Sequence, residues 1–253
     1  MSVGPVVTVA VPSREQACFL GEALDSLLAQ ELPTEIFVAD AASRDGSVEL
    51  IRSRAHRLAG WRSHADAGQA AAINECIARG SAPFVCWLNS DDLLLPGALD
   101  ALVRALASSP DSPAVYARAW TQLPSGRRRP VWVEPFDERR LALRCIVSQP
   151  ATLIRRSAWE AVGGLDESLH MAMDYDLWWR LHRCGGPLLF LDAFTAVNRE
   201  HAGTKTRLNR ALHYREAIRT VRKYRGRVPL KWWLYQPWSV WGRAALARFG
   251  RTA

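Results

Sequence analysis

The stretch Phe84-Val85-Cys86-Trp87-Leu88-Asn89-Ser90-Asp91-Asp92 decides how this chain is read. Five apolar residues, then Asn89 and Ser90, lead into two adjacent carboxylates. An uninterrupted apolar run of this kind fits a strand buried on both faces, as in a parallel sheet covered by helices. The acids then fall where the strand leaves the sheet, the place where open α/β folds put their ligand crevice. Adjacent carboxylates repel unless a cation sits beside them. A divalent metal carrying phosphate oxygens meets that need, because hard cations prefer oxygen ligands. The competing reading is a solvated turn that caps the helix beginning near Pro96.

On the N-terminal side of this stretch, strand and helix alternate. Residues 6–11 read as a first buried strand ended by Pro12-Ser13, and Phe19, Ala23, Leu27 and Leu28 mark the inner face of the next helix. Residues 35–39 give a second strand that ends at Asp40, followed by a helix carrying Val48, Ile51 and Ala55. A short strand near Trp61 leads to Asp66-Ala67-Gly68-Gln69 and a helix through Ile73 and Ile77; a fourth helix follows at 96–108. Four alternations predict an α/β fold whose sheet is mostly parallel, wound by right-handed crossovers.

After Pro110 the pattern changes. Residues 114–122 and 128–134 read as strands joined through Pro124-Ser125-Gly126, and 147–155 as a further extended segment. A short helix at 157–162 stops at Gly163-Gly164, 175–183 is helical, and 188–197 returns to strand.

Three strand-to-helix turns carry an acid: Asp40, Asp66 and the Asp91/Asp92 pair. A parallel sheet puts these turns on one edge, so the spacing predicts carboxylates facing one crevice. Any one of them alone reads as a helix cap. A nucleoside diphosphate fits the set, with one acid accepting from base or ribose and a metal on the paired acids neutralising the diphosphate. No G-x-G-x-x-G or G-x-x-x-x-G-K-[ST] loop is present, which argues against dinucleotide oxidoreductases and P-loop phosphotransferases. G-x-S-x-G and H-E-x-x-H are absent as well.

The 253 residues suffice for one large α/β domain with a modest extension. Five scattered cysteines, never paired as C-x-x-C, suggest reduced usage without a disulfide frame or zinc site. No signal peptide is expected, and no run reaches the length needed to span a bilayer. The net charge of +8 is uneven: residues 199–253 hold 14 Lys or Arg against Glu200 and Glu216, while the rest is mildly acidic.

Several segments together resemble inverting family 2 glycosyltransferases of the GT-A fold, over about residues 5–206. Residues 7–13 resemble that family's first strand, with Glu15 where an Asn is usual. Asp40-Ala41-Ala42-Ser43-Arg44-Asp45-Gly46-Ser47 is similar to its nucleotide loop, with two alanines in place of glycines. Residues 66–74 resemble its Asp-x-Gly-Gln-x-x-Ala-Ile-Asn segment, and Trp87 to Asp92 its metal motif. Ser148-Gln149-Pro150-Ala151-Thr152 and Met173-Asp174-Tyr175-Asp176-Leu177-Trp178 resemble its acceptor-side segments.

The resemblance implies a nucleotide-sugar site built from Pro12, Ser13, Asp40 at the base, Asp66 near the ribose or diphosphate, Gln69, Asn74 and Asp91. It implies Asp92 as ligand of Mn²⁺ or Mg²⁺, with Asp91 and His201 as further candidates, and Asp174 as catalytic base. Gln149, Trp178 and Trp179 fall on the acceptor side, although the two tryptophans also read as core. His201, in a segment resembling His-x-x-Ser-Lys-Thr, reads equally as a loop residue with a local hydrogen bond. The implied donor is a nucleoside-diphosphate sugar and the implied acceptor a glycan or lipid-linked sugar of a bacterial surface polysaccharide. A nucleotidyltransferase is the alternative enzyme, but Pro12-Ser13-Arg14-Glu15 lacks its glycine-rich loop. A non-catalytic membrane module is the other alternative.

The expected catalytic domain spans 1–204, with a nucleotide-sugar half at 1–108 and an acceptor half at 109–204. Residues 205–253 form a basic extension. Its 206–224 stretch spaces Leu208, Leu212, Ile218 and Val221 as an amphipathic helix, and residues 230–241 hold Trp232, Trp233, Trp238 and Trp241. Tryptophan among basic residues suits an anionic bilayer surface, so a cytoplasmic protein peripheral to the inner face of the membrane is expected. Packing on the domain or a homodimer contact are the alternatives. No nucleic-acid partner is expected, since no such motif accompanies the charge.

Overall fold

The computed structural model describes residues 4–237. Its elements run β1 (Val7–Ser13), α1 (Ala17–Leu28), β2 (Thr34–Asp40), α2 (Ser47–Arg54), β3 (Gly60–Ser63), α3 (Gln69–Arg79) and β4 (Phe84–Trp87). Then come β5 (Leu93–Leu94), α4 (Ala98–Ala107), β6 (Ala114–Gln122), β7 (Arg128–Pro130), α5 (Glu138–Leu143), β8 (Thr152–Arg155) and α6 (Arg156–Ala161). The chain continues through α7 (Met173–Gly185), β9 (Leu189–Arg199), α8 (Lys205–Leu208), α9 (Arg210–Arg225) and α10 (Leu230–Pro237).

One sheet takes the order β3-β2-β1-β4-β8-β6-β9-β5, with β7 paired to β6. β1 to β4 are parallel, β8 runs against β4 and β6, and β9 runs parallel to β6. The C-terminal ends of β1, β2, β3, β4, β6 and β9 therefore share one edge.

The apolar run at 84–88 behaves as a strand covered on both faces. Cys86 and Leu88 join the core under α1, α2 and α4, while Val85 and Trp87 join the core under α3, α6 and α7. β1 and β2 divide likewise, Val9 and Val38 to one side and Ala10 and Phe37 to the other, as the two-residue strand period requires. Trp87 is stacked on Trp178 at 5.9 Å and meets Trp159 edge-on at 6.2 Å.

Two expected strands are shorter than the sequence suggests. Pro150 lacks the N–H a ladder needs, so Gln149–Ala151 form a single 3₁₀ turn and β8 starts at Thr152. Pro130 ends β7 for the same reason.

Packing also runs across the composition change at residue 205. Ala217, Ile218 and Val221 of α9 enter the same core as Trp179, whose ring stacks on Tyr224 at 5.6 Å. The buried Asp176 of α7 pairs with Arg180 (2.6 Å) and Lys223 (3.1 Å) and accepts from the Tyr224 hydroxyl (2.9 Å). Trp232 is 8% exposed and its Nε1 donates to the Ala142 carbonyl at 2.8 Å. Leu208 of the expected amphipathic stripe is exposed instead. Trp238 and Trp241 lie outside the described residues.

The loops after β1 and β2 are stitched together. The Glu15 amide donates to Ser43 Oγ, the Arg44 amide to Glu15 Oε1, and the Ala17 amide to Asp45 Oδ2. Asp45 thus caps α1 from the neighbouring loop, with Ser47 also bonded to it. Ala42 adopts left-handed backbone at φ 58°, a conformation that costs an L-residue roughly 1–2 kcal/mol and glycine nothing. Ala42→Gly is therefore expected to raise stability by about 0.5–1 kcal/mol after the entropy of the freer unfolded chain is subtracted. Denaturant melts of the two proteins measure this; a lower midpoint for the glycine variant would contradict it.

Candidate active site

The strand edge gathers the acids that the sequence places at strand ends. None of them caps the helix that follows, since α2, α3 and α4 begin at Gly46, Gly68 and Gly97 without a side-chain cap. The paired acids turn in opposite directions. Asp92 is buried; its Oδ1 accepts from the Arg199 amide (3.2 Å) and its Oδ2 from Asn89 Nδ2 (3.1 Å). Asp91 points the other way, with Oδ2 3.0 Å from His201 Nε2. Burial and the adjacent Asp91 push the Asp92 carboxyl well above the usual carboxylate range, and the bonds from Asn89 and Arg199 offset only part of that.

Sequence reasoning missed Arg199. It ends β9 nearly buried, donates to the Asp91 and Phe19 carbonyls, pairs with Glu22 at 2.6 Å, and lies over the Phe19 ring at 4.8 Å. Its signal was available: a strand read as ending at 197 is followed by Asn198, Arg199, Glu200 and His201, a charged run with a histidine. His201 also packs its ring on Phe19, centroids 4.5 Å apart.

A chain of amides links this edge to the acceptor half. Lys205 Nζ donates to Gln69 Oε1 (2.8 Å), Gln69 Nε2 to Asn89 Oδ1 (2.8 Å), and Asn89 Nδ2 to Gln149 Oε1 (3.1 Å). Gln149 in turn donates to the Trp87 carbonyl at 2.8 Å. Gln69 and Gln149 thus brace Asn89 in the turn that carries the paired acids.

Four other expected residues have different duties. Asp40 has no exposed surface: Ser43 N, Ser43 Oγ and Ser63 Oγ donate to its carboxylate at 2.9, 2.5 and 2.6 Å, so it shapes the loop and offers a base no free oxygen in this conformation. Asn74 is bonded in both directions to Leu165 backbone and to Glu167, bracing α3 against the loop after α6, which removes it from the nucleotide site. Trp178 and Trp179 are both 0% exposed, so neither has a ring face for a sugar. They are core because α7 turns them onto Trp87 and Tyr224.

Ser13 and Asp66 remain at the edge. Ser13 Oγ is buried without a partner, next to the buried Pro12, and Asp66 accepts from the Gly68 amide and Arg62 at 3.0 Å each.

Asp174 lies in the first turn of α7, but Ala172 is the cap residue of that helix. Its Oδ1 accepts from the Tyr175 amide at 2.7 Å. Burial raises its carboxyl above the usual range, and the Tyr175 amide, His213 and Lys205 pull it partway back. His213 belongs to α9, where burial pushes its imidazole down while Asp174 and Glu216 oppose that shift. Neither His213 nor Glu216 was singled out from sequence.

The residues present suit a divalent cation of the oxygen-preferring kind. No three acids, histidines or cysteines converge among the described residues, so an all-protein cage is not what the chain builds. Mg²⁺-type sites instead use one or two carboxylates and leave the other positions to water and substrate phosphates. The accessible Asp91 carboxylate with His201 beside it fits that description. A cation beside the pair would relieve the repulsion from Asp91 that, with burial, pushes the Asp92 carboxyl up. The resemblance implies Asp92 as the principal ligand; the geometry offers Asp91, because Asp92 is buried while the Asp91 side chain keeps exposed surface.

Comparison with known proteins gives the family and the fold. A model of the Glycosyl transferase family 2 matches residues 8–161. An uncharacterized glycosyltransferase of Rickettsia prowazekii is 24% identical over 224 residues, covering 84% of this chain and 70% of its own. The N-acetylglucosaminyl-diphospho-decaprenol L-rhamnosyltransferase of Mycobacterium tuberculosis is 27% identical over 250 residues, covering 82% and 81%. Other relatives are longer: the chain spans 59% of a Rickettsia typhi glycosyltransferase and 35% of one from Rickettsia felis.

Among solved structures, S. aureus TarS 1–349 in complex with UDP-GlcNAc superposes with a TM-score of 0.70 at 16% identity, over 93% of this chain and 73% of that one. The mannosyltransferase PcManGT of Pyrobaculum calidifontis, in complex with GDP-Man and Mn²⁺, gives 0.67 at 21% identity, over 100% and 76%. The fold is thus GT-A. The parallel edge, the paired acids that follow β4 and the match over residues 8–161 lead to one conclusion: this chain is a glycosyltransferase that belongs to family 2.

Proposed function

We propose that this glycosyltransferase moves a sugar from a nucleoside-diphosphate donor to an acceptor hydroxyl with inversion at the anomeric carbon. The single observation that carries the reading is the bridge made by Lys205, which lies near Asp174 and donates to Gln69, the partner of Asn89 in the turn that presents Asp91 to His201. Asp91 and His201 would hold Mn²⁺ or Mg²⁺, which supplies charge neutralisation for the departing diphosphate. Asp66 is the polar group with exposed surface for the nucleotide, and Ser13 Oγ lies buried without a partner at the same edge. Asn89, Gln69 and Gln149 keep the turn in place between donor and acceptor.

Asp174 accepts the proton of the acceptor hydroxyl. The acceptor oxygen forms its bond to the anomeric carbon as the bond to the diphosphate oxygen breaks, and that electron pair leaves with the nucleotide. A single displacement of this kind inverts the centre. Desolvation suits Asp174 to the role, because a base works best when its pKa approaches the operating pH.

Support for a glycan or lipid-linked acceptor of a bacterial surface polysaccharide comes from the names of the relatives, a rhamnosyltransferase and, at 24% identity each, chondroitin and hyaluronan synthases of Pasteurella multocida. A cytoplasmic location, peripheral to a membrane, belongs to the same reading. No helix among the described residues is long and apolar enough to cross a bilayer. Leu230, Trp233, Leu234 and Tyr235 of α10 are exposed, and Trp232 anchors that helix at Ala142, next to the exposed Leu143; Trp132 is exposed too. Arg144 stacks on Trp132 at 4.6 Å. Apolar side chains among cations suit an anionic lipid surface.

Asp174→Asn tests the chemistry. Its carboxyl is raised in the folded state, so its contribution to stability is present at low pH and is lost as pH rises through the folded value. The neutral amide should therefore melt at the same temperature or higher at pH 7. Nucleoside diphosphate release from UDP-N-acetylglucosamine, GDP-mannose and dTDP-rhamnose, with water taking the sugar in the acceptor's place, should fall about 10²–10⁴-fold. The acid limb of the wild-type pH profile should lie above the ordinary Asp value of roughly 3.9 and vanish in the variant. Near-normal turnover in folded Asp174→Asn would refute the base assignment.

Membrane docking is read by vesicle co-sedimentation of the full chain and of Leu230→Gln/Trp233→Gln/Leu234→Gln, which leaves the buried Trp232 untouched. Wild type should prefer phosphatidylglycerol over phosphatidylcholine vesicles, with salt weakening it, and the triple variant should bind by roughly tenfold or more weaker. Equal sedimentation of both proteins would sink the docking surface.

A further inference from the structure

Glu216 lies in the part of the chain whose composition reads as a surface tail, yet its carboxylate is buried against the acceptor side of the site. Three consecutive backbone amides converge on it: His170 N at 3.2 Å on Oε1, and Met171 N at 2.7 Å and Ala172 N at 3.0 Å on Oε2. Such a row of N–H groups forms a concave anion seat, here filled by a side chain from another helix. Ala172 is the residue from which α7 starts, and its carbonyl accepts from Asp176 N at 2.9 Å to close the first turn. Asp174 sits inside that turn. The path of residues 170–172 thus sets where the Asp174 carboxylate stands.

The same face of α9 carries His213, one helical turn before Glu216, and His213 lies near enough to Asp174 for each to shift the other's proton affinity. α9 therefore meets the start of α7 twice, once through the backbone that leads into it and once through the acid it presents. A carboxylate is also the group favoured beside a helix N-terminus, where the peptide dipoles leave partial positive charge.

We infer that Glu216 is a positioning residue for the transfer reaction: it fixes the 170–172 turn and through it the catalytic base. This rests on the reading of Asp174 as the base. Glutamine is the discriminating replacement, since it keeps size but turns one of the two accepting oxygens into a donor that faces an N–H group. Glu216→Asp keeps the charge and shortens the reach by one methylene.

The experiment measures nucleoside diphosphate release from UDP-N-acetylglucosamine, GDP-mannose and dTDP-rhamnose by the full chain, Glu216→Gln, Glu216→Asp, Asp174→Asn and the Glu216→Gln/Asp174→Asn double variant. Melting temperature and amide hydrogen exchange are followed in parallel. Glu216→Gln should lose about 10–100-fold in kcat with the donor KM within about twofold of wild type, as a small misplacement of a reacting group costs. Exchange should quicken at residues 170–172 and not in the sheet. Added to Asp174→Asn, the same substitution should change the residual rate little, because groups that act as a unit are not additive. Glu216→Asp should fall between wild type and Glu216→Gln. Wild-type kcat in folded Glu216→Gln would overturn the inference. So would an equal further loss on the Asp174→Asn background, or a loss that tracks a global fall in melting temperature. Full activity in Asp174→Asn alone would instead count against the base assignment, which separates the two failures.

Discussion

Two neighbouring carboxylates at the end of a buried strand cannot both face the same low-dielectric space while charged. The fold resolves this by sending them apart. Asp92 turns inward to the Asn89 amide and the backbone of Arg199, and Asp91 turns outward to His201. The solution draws the end of β9 against the end of β4 and fixes the edge on which the nucleotide half and the acceptor half meet. Arg199 completes it by reaching on to Glu22 and Phe19, which ties α1 to the same corner. The Lys205–Gln69–Asn89–Gln149 chain then spans the corner in hydrogen bonds.

The first half of the fold was legible because its signals are local. The apolar run at 84–88 alternates between two cores, as a doubly covered strand must, and each strand-end acid falls on the edge that parallel pairing predicts. The division of labour between Asp91 and Asp92 was not legible. The two are identical in type and adjacent, and what distinguishes them is a backbone N–H from a strand end 107 residues further on. The bracing by Asn74 and Asp40 was not legible for a related reason: a brace and a free ligand look the same until the partners are known. Trp178 and Trp179 fell to the core because Trp87 and Tyr224 supply stacking partners that spacing alone does not reveal.

The C-terminal part was read through its charge, and charge concealed its packing. Lys223 and Arg225 are not a free polybasic surface; they pair with Asp176 and Glu138 of the domain. Buried Glu216, a rare acid in a basic stretch, was the visible anomaly. The stretch thus holds two kinds of surface, a face of α9 built into the acceptor side and an exposed face of α10 with Leu230 and Leu234.

The proposed cation would be shared between Asp91, His201 and a nucleoside diphosphate. Calorimetry of UDP, GDP and dTDP binding, with Mn²⁺ or with chelator, measures it directly in wild type, Asp91→Asn, His201→Ala and Asp92→Asn. One nucleotide should bind wild type far better with Mn²⁺, and Asp91→Asn should erase that gain; His201→Ala should reduce it by about 10–100-fold, as loss of a metal contact does. Asp92→Asn should keep the gain while changing stability, since its oxygens face the protein. Equal affinity with Mn²⁺ and chelator in wild type, or a gain that depends on Asp92 and not on Asp91, would contradict the account.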